Sequence, residues 1–381
     1  MTLDTTAKIT EEGVRELKSR IGSYFKLSFG GSTEVTKDSI RHFSAGTGDF
    51  NPLWLDENHA SKTKWGSIIA PPCYLYSVIY ATGMKAGGLA GVHAYHSGSD
   101  WEWYKPVKPG DTITGTYQLK DVVEKPSKFS KRILIVYAEI KYYNQLDEMV
   151  AKTLGWSIRA ERQTSRETRK YLDLETYLYS EDEVQEIIKA YANEEIRGSK
   201  PRYWEDVNVG DKLPPVVRGP FTISDTVVFR EASTPEIWGI SMSHAIKVRE
   251  LKKHPGFSFR DPDTGALATI AEVHAMTSAA RGAAVPALYD VGSQRNSWMS
   301  APLTNWMGDD GYLKKLNASY RRFNPYGDTQ WIKAAVTKKY VENDENLVDL
   351  DVWCENQKGE NTAPGKATIA LPSKQKPQGK K

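Results

Sequence analysis

Ala70-Pro71-Pro72-Cys73-Tyr74-Leu75-Tyr76-Ser77-Val78-Ile79-Tyr80 opens on two prolines and is then mostly apolar around its circumference. Proline suits a first helical turn, where its missing N–H is no loss, and a helix apolar on all sides has to be buried. The stretch predicts a buried helix over 70–80. Ala301-Pro302-Leu303-Thr304-Asn305-Trp306 matches its beginning and predicts a second buried helix from Ala301. Downstream of the first lies Tyr104-Lys105-Pro106-Val107-Lys108-Pro109-Gly110-Asp111-Thr112, and downstream of the second Arg322-Phe323-Asn324-Pro325-Tyr326-Gly327-Asp328-Thr329. Each reads as a turn feeding a strand.

Two further signatures, Asn144-Gln145-Leu146-Asp147-Glu148 and Asn356-Gln357-Lys358-Gly359-Glu360, place turn residues between alternating strand patterns such as Ile133-Leu134-Ile135-Val136-Tyr137 and Leu347-Val348-Asp349-Leu350. They predict hairpins. Because the Gly-Asp and Asn-Gln signatures recur in order at nearly one spacing, a tandem duplication is indicated. Upstream, Asp38-Ser39-Ile40 through Ala45-Gly46-Thr47 corresponds to Asp225-Thr226-Val227 through Ala232-Ser233-Thr234. The second copy then gains about 25 to 30 residues. A buried helix followed by long antiparallel strands is the order expected when a sheet wraps a helix. The predicted fold class is therefore α+β, two tandem hotdog domains, each a curved antiparallel sheet around a central buried helix.

The expected domains are an N-terminal hotdog over 1–160, a linker over 161–202, a C-terminal hotdog over 203–372 and a basic disordered tail over 373–381. In the linker Ser180-Glu181-Asp182-Glu183 forms a capping box ahead of Val184, Ile187, Ile188 and Tyr191, which predicts an amphipathic helix. Another peripheral helix is expected after Thr10, with Val14, Leu17 and Ile21 on one face.

At 381 residues the chain has room for two cores, and 39% apolar with 26% charged residues is ordinary for a globular protein. Its net charge of +3 owes four lysines to the last ten residues, Lys374, Lys376, Lys380 and Lys381. The body is near neutral, which argues against nucleic-acid or anionic-membrane partners. Two cysteines, Cys73 and Cys354, are too few for a disulfide framework and lack metal-site spacing, so a reducing cytoplasm and no metal are expected. No apolar run reaches a membrane span and the N-terminus lacks a secretory pattern. Phosphate-loop, dinucleotide and nucleophile-elbow motifs are missing, and Gly83 to Gly91 fits a turn after the helix.

Thr47-Gly48-Asp49-Phe50-Asn51-Pro52-Leu53-Trp54-Leu55-Asp56 resembles the Gly-Asp-x-Asn-Pro-x-His-x-Asp motif of MaoC-like, R-specific enoyl-CoA hydratases. Trp65-Gly66-Ser67-Ile68-Ile69-Ala70-Pro71-Pro72 resembles the N-terminal half of tandem MaoC dehydratases, and Tyr203-Trp204-Glu205-Asp206-Val207-Asn208-Val209-Gly210-Asp211 the opening of their second unit. The resemblance spans roughly 15 to 160 and 203 to 372. It implies an Asp and His dyad that handles water and the α-proton of a CoA thioester, with a backbone N–H at the buried helix directed at the thioester oxygen. Charge develops on that oxygen as water adds, so a fixed donor and a paired acid and base lower the barrier.

Asp49 stands at the dyad carboxylate position, but Trp54 replaces the histidine and cannot shuttle protons. In the second unit Glu236 aligns with Asp49. His244, His254 and His274 follow it without the family spacing, and His274 aligns only if eleven extra residues are assumed before Ala301. The catalytic candidates are Asp49, Glu236, His244 and His274. Substrate-binding candidates are Asn51, Trp54, Cys73 (the first free N–H after the prolines), His96, Trp101, Trp103, Arg295 and Trp298. Each has a structural alternative: Asp49 and Asn51 as turn formers, the tryptophans as core, Arg295 as a salt bridge and the histidines as structural groups. His93 and His96 alternate, so one of them faces inward. Lys105, Lys108, Lys338 and Lys339 are either CoA-phosphate contacts or solvated lysines.

The expected activity is hydration or dehydration at the 2,3-position of an acyl-CoA thioester. Eleven tryptophans point to a bulky or aromatic acyl group. No cofactor is expected beyond the CoA thioester itself, and a homodimer or higher oligomer is. Two alternatives stand beside this: a noncatalytic or half-site subunit needing a second MaoC-like chain, and an acyl-CoA thioesterase with a carboxylate base.

Overall fold

The computed structural model describes residues 7–25, 33–80, 89, 91–172, 175–233, 258–262 and 264–375. Glu236, His244, His254, most of Gly83–Gly91 and the last six residues lie outside them.

In the first unit β1 (Tyr24–Phe25) precedes four long strands: β2 (His93–Trp103), β3 (Thr114–Ser127), β4 (Lys131–Tyr143) and β5 (Met149–Ala160). After β6 (Val216–Arg218) and a short hairpin of β7 (Ser258–Arg260) and β8 (Leu267–Thr269), the second unit repeats them as β9 (Tyr312–Ser319), β10 (Gln330–Glu342), β11 (Glu345–Asn356) and β12 (Asn361–Ala370). All but β7 and β8 join one ten-stranded sheet in the order β1-β3-β4-β5-β2-β9-β12-β11-β10-β6. The units meet edge to edge where β2 pairs antiparallel with β9, Trp101 opposite Leu316 and Gly98 opposite Ser319. A Cβ on Gly98 would lie 2.0 Å from the Trp156 ring, so only glycine lets that ring cover the junction.

The recurring signatures have a shared physical cause. Gln145 accepts from Thr112 N at 3.0 Å and donates to Asp111 at 3.3 Å. Gln357 accepts from Thr329 N at 3.1 Å and donates to Asp328 at 2.7 Å. The Asn-Gln hairpin therefore holds the Gly-Asp turn in both units, which is why the two motifs travel together.

The wrapped helices differ from each other and from the sequence expectation. The first is a 3-10 helix, Pro72–Ser77, capped by Pro71. Its 2.9 Å bond from Tyr74 N to Pro71 O is an i to i+3 bond, to which two consecutive prolines leave few alternatives. The second is a 16-residue α-helix, Gly292–Met307, with Pro302 inside it. The prediction that it starts at Ala301 is thus overturned: Pro302 sits in the third turn, tolerated because fifteen consecutive residues from Ser293 are buried beneath the sheet. Phe43, Trp54, Tyr74, Tyr76 and Trp101 share one apolar core with Phe221, Phe229, Trp298 and Leu303. Helices Lys37–Thr47 and Ile223–Ser233 lie against each other, close enough that a Cβ on Gly46 would meet Ala232 Cβ at 2.9 Å.

Around this body, Glu11–Ser19 forms the N-terminal helix, with Val14 and Leu17 buried and Ile21 beyond its end and exposed. The linker helix is Glu181–Ala192, with the capping box in place, though of its apolar face only Ile187 is fully buried. Ser373 and Lys374, read as the start of a free tail, instead bond to Glu205 and Asp206.

Candidate active site

The helix Lys37–Thr47 ends on Gly48 in the left-handed conformation, φ 66°, which turns the chain sharply and directs Asp49 inward. Asp49 is 5% exposed and Asn51 3%. Asp49 accepts from Asn51 N at 3.2 Å, and Asn51 accepts from Leu53 N at 3.0 Å to cap the short helix Pro52–Leu55. Both residues form the turn, as the structural alternative held. The turn also holds the carboxyl beneath the surface. Burial raises the Asp49 pKa above the ordinary carboxylate value, opposed by the Asn51 amide, the Arg218 charge and the Trp54 indole N–H. That N–H faces the carboxyl yet makes no hydrogen bond of ordinary geometry.

Cys73 follows the prolines at the start of the 3-10 helix, and among the described residues no backbone carbonyl takes its N–H. Its thiol accepts from Asn296 Nδ2 at 3.3 Å, and burial pushes it up to about 12. A thiol so protonated is no nucleophile, which leaves the amide as the useful group. Beside it an apolar cavity of about 30 Å³ is lined by Leu53, Trp54, Trp103, Met307 and Tyr312, with Lys105 also in its wall. Of the candidates only Trp54 and Trp103 line this cavity; Asp49, with Asn51 in its turn, lies behind the Trp54 indole, and Cys73 sits between the lining residues Pro72 and Tyr74.

The other candidates sit elsewhere. Trp101 is fully buried, stacked on Trp103 at 5.5 Å with its Nε1 donating to Tyr76, so it backs the cavity wall without lining it. Trp298 packs edge-on against Phe221 in the core. Arg295 is committed to a buried pair with Asp290, Nε to Oδ2 at 2.7 Å, and Nη1 donates to Arg322 O at 2.7 Å. The structure forms the salt bridge of the structural alternative: Nε and Nη2 both donate to Asp290 and Nη1 to a backbone carbonyl, so each guanidinium nitrogen already has an acceptor. His96 takes the Tyr80 hydroxyl on Nδ1 at 3.3 Å and faces Gly98 O with Nε2 at 3.2 Å; burial drives its pKa down to about 3. The Tyr80 hydroxyl also faces Ser293, whose own hydroxyl makes no hydrogen bond of ordinary geometry, so first-unit side chains stopper the N-terminus of the second central helix. Gly292 permits this closure, since a Cβ there would lie 2.9 Å from His96 Nδ1.

His274 ends a short 3-10 helix, Ile270–His274, with Nδ1 2.8 Å from Tyr289 O. Burial, then the Arg230 charge, push its pKa down to about 4. Placing the helix start at Gly292 corrects the sequence alignment: His274 precedes Gly292 by eighteen residues, as Trp54 precedes Pro72. No insertion separates them, and the additional chain falls earlier, partly as the β7–β8 hairpin. By the same count Thr269 occupies the place of Asp49. By that count the first unit has a carboxylate and a tryptophan at the two matched places, and the second a threonine and a histidine. Arg218 and Glu194, which flank Asp49, escaped the sequence reading because nothing local links them to residue 49.

Residues 20–153 match the family model of the FAS1-like dehydratase domain region. UPF0336 proteins of Streptomyces avermitilis and Streptomyces griseus are 28% identical over 94 residues, 23% of this chain. The match spans 63% of the length of these curated relatives. Among solved structures, a MaoC-like dehydratase superposes with a TM-score of 0.65 at 13% identity, covering 94% of this chain and 99% of that one. A Mycobacterium tuberculosis protein reported to have a double hotdog fold gives 0.55 at 10% identity, with 92% and 96% covered. A MaoC-like dehydratase from Phytophthora capsici gives 0.51 at 10% identity, with 95% and 99% covered. The tandem MaoC-like resemblance and the double hotdog fold are borne out.

Proposed function

We propose that this chain, sharing the double hotdog of MaoC-like dehydratases, adds or removes water across the 2,3-bond of an acyl-CoA thioester at one site, in its first unit. The observation that carries this reading is that a buried Asp49 faces the Trp54 indole, which lines an apolar cavity at the proline-led helix, where among the described residues no backbone carbonyl takes the Cys73 N–H. In hydration, ionised Asp49 takes a proton from water as its oxygen attacks C3. The acid so formed delivers that proton to C2. A carboxyl raised by burial is a better proton carrier near neutral pH than an ordinary aspartate. The Cys73 N–H faces the charge that gathers on the thioester oxygen.

Trp54 and Trp103 favour a flat, aromatic or bulky acyl group. The cavity holds about a water or two as it stands, so the acyl group has to displace side chains such as Met307 to enter. The stoppered helix N-terminus and the carbonyl-bound His274 favour a structural role for the second site. The test is to offer the purified chain a panel of short, long and aromatic enoyl-CoAs and follow 3-hydroxyacyl-CoA. Release of free CoA instead would identify a thioesterase.

One observation favours a second reading. Trp54 stands where a proton-transferring histidine is needed, which suits a subunit that binds acyl-CoA while a second MaoC-like chain supplies the intact dyad. Silence across the panel, relieved by adding such a chain, would select it.

A further inference from the structure

Asp49 is not held by its own unit alone. Arg218 ends β6, the outermost strand of the second unit, yet its Nη2 donates to Gly48 O at 2.9 Å. Nη1 meets Glu194 Oε2 at 2.8 Å and Val217 O at 2.7 Å, while Nη2 also reaches Glu194 Oε1 at 3.1 Å. Glu194 belongs to the linker and accepts in turn from Asn305 Nδ2, on the second central helix, at 3.1 Å. The Arg218 side chain is 6% exposed and that of Glu194 19%. Three segments outside the first unit thus converge behind the turn that presents Asp49, and a buried bidentate fork fixes geometry as well as charge.

We propose that Arg218 is a positioning residue for Asp49: it locks the Gly48–Asp49 turn and, with Glu194, sets the charge around that carboxyl, so the first unit's site is complete only with the second unit packed against it. This rests on the reading of Asp49 as the proton carrier. Among the described residues the ionisable groups acting on Asp49 are Arg218 from β6 and Glu194 from the linker, and Asp49 in turn acts on the Cys73 thiol at the proline-led helix. Arg218 lowers the Asp49 pKa and Glu194 raises it. The two partners of one ion pair therefore pull the same carboxyl in opposite directions.

That opposition supplies the test. The Asp49 side-chain carbon is titrated by carbon-13 NMR in the full-length chain, its signal assigned by its loss in Asp49→Asn. Arg218→Gln is expected to raise the midpoint by at least about half a pH unit and Glu194→Gln to lower it by a similar amount, while Arg218→Lys keeps it near the wild type. If both neutral variants shift the midpoint the same way, or neither shifts it, the proposal is overturned. A merely structural ion pair would behave so. Should Arg218→Gln not fold, Glu194→Gln decides: a lower midpoint upholds the proposal and an unchanged or higher one overturns it. The titration needs no substrate, so it stands apart from the enoyl-CoA panel; activity with an unmoved midpoint sinks this proposal alone.

Discussion

Gln357 donates to the Asp328 carboxylate at 2.7 Å while its carbonyl accepts from Thr329 N at 3.1 Å, binding a hairpin to the turn twenty-nine residues away. Gln145 does the same for Asp111 and Thr112 in a more exposed setting. Gln357→Ala is expected to cost about 1 kcal/mol and Gln145→Ala about half that, because burial lessens competition from water. Urea unfolding curves of the two variants would measure the difference, and equal losses would contradict it.

The burial of Asp49 has a pH consequence. Its folded pKa lies above the ordinary carboxylate value of 3.8, so the folded state binds this proton more tightly than the unfolded chain. The group therefore favours folding at low pH and costs stability as pH rises through the folded pKa. Asp49→Asn is expected to raise the melting temperature near pH 7 and to leave it little changed at pH 3. Turnover of an accepted enoyl-CoA should fall at least about 100-fold. Calorimetry at both pH values, with the activity assay, checks the pairing of gain and loss.

In the proposed reaction Cys73 contributes its backbone N–H, while its thiol is held protonated at a pKa of about 12. Cys73→Ala should keep turnover within about threefold, since the N–H remains. A loss of tenfold or more would mean that the sulfur takes part.

Asp290 and Arg295 are both almost wholly buried. Arg295→Met leaves the carboxylate without its partner and should destabilise the chain by about 3 to 5 kcal/mol, measured by thermal or urea unfolding. Such a loss would identify Arg295 as structural, whereas weakened acyl-CoA binding in a chain of unchanged stability would return it to the substrate.

His274 is predicted to be dispensable for chemistry. Its ring is anchored on the Tyr289 carbonyl and its pKa is pushed to about 4. His274→Ala should change turnover by less than about threefold while lowering the melting temperature. A drop of tenfold or more would move the proton transfer to the second unit.

The duplication, the hairpins and the linker helix could be read in the sequence because each is written in short-range patterns: capping pairs, turn residues and alternation. The Asp49 turn was legible for the same reason, since Gly48, Asp49 and Asn51 act on one another across a few bonds. Pro302 misled, because proline usually marks a helix start and only the sheet above it shows that a longer helix absorbs it. The true start at Gly292, and with it the matching places of Trp54 and His274, depends on which backbone the sheet encloses.

What the sequence determined by itself was the repeated unit and the carboxylate that one copy retains. Tertiary structure alone decided that Arg218, from the far edge of the sheet, grips the Gly48 carbonyl, that Tyr80 and His96 close the second helix, and that Arg295 is spent on Asp290. Burial is the physical reason: a polar group removed from water must find its partner wherever the packed chain brings one, and that place carries no mark in the local order of residues.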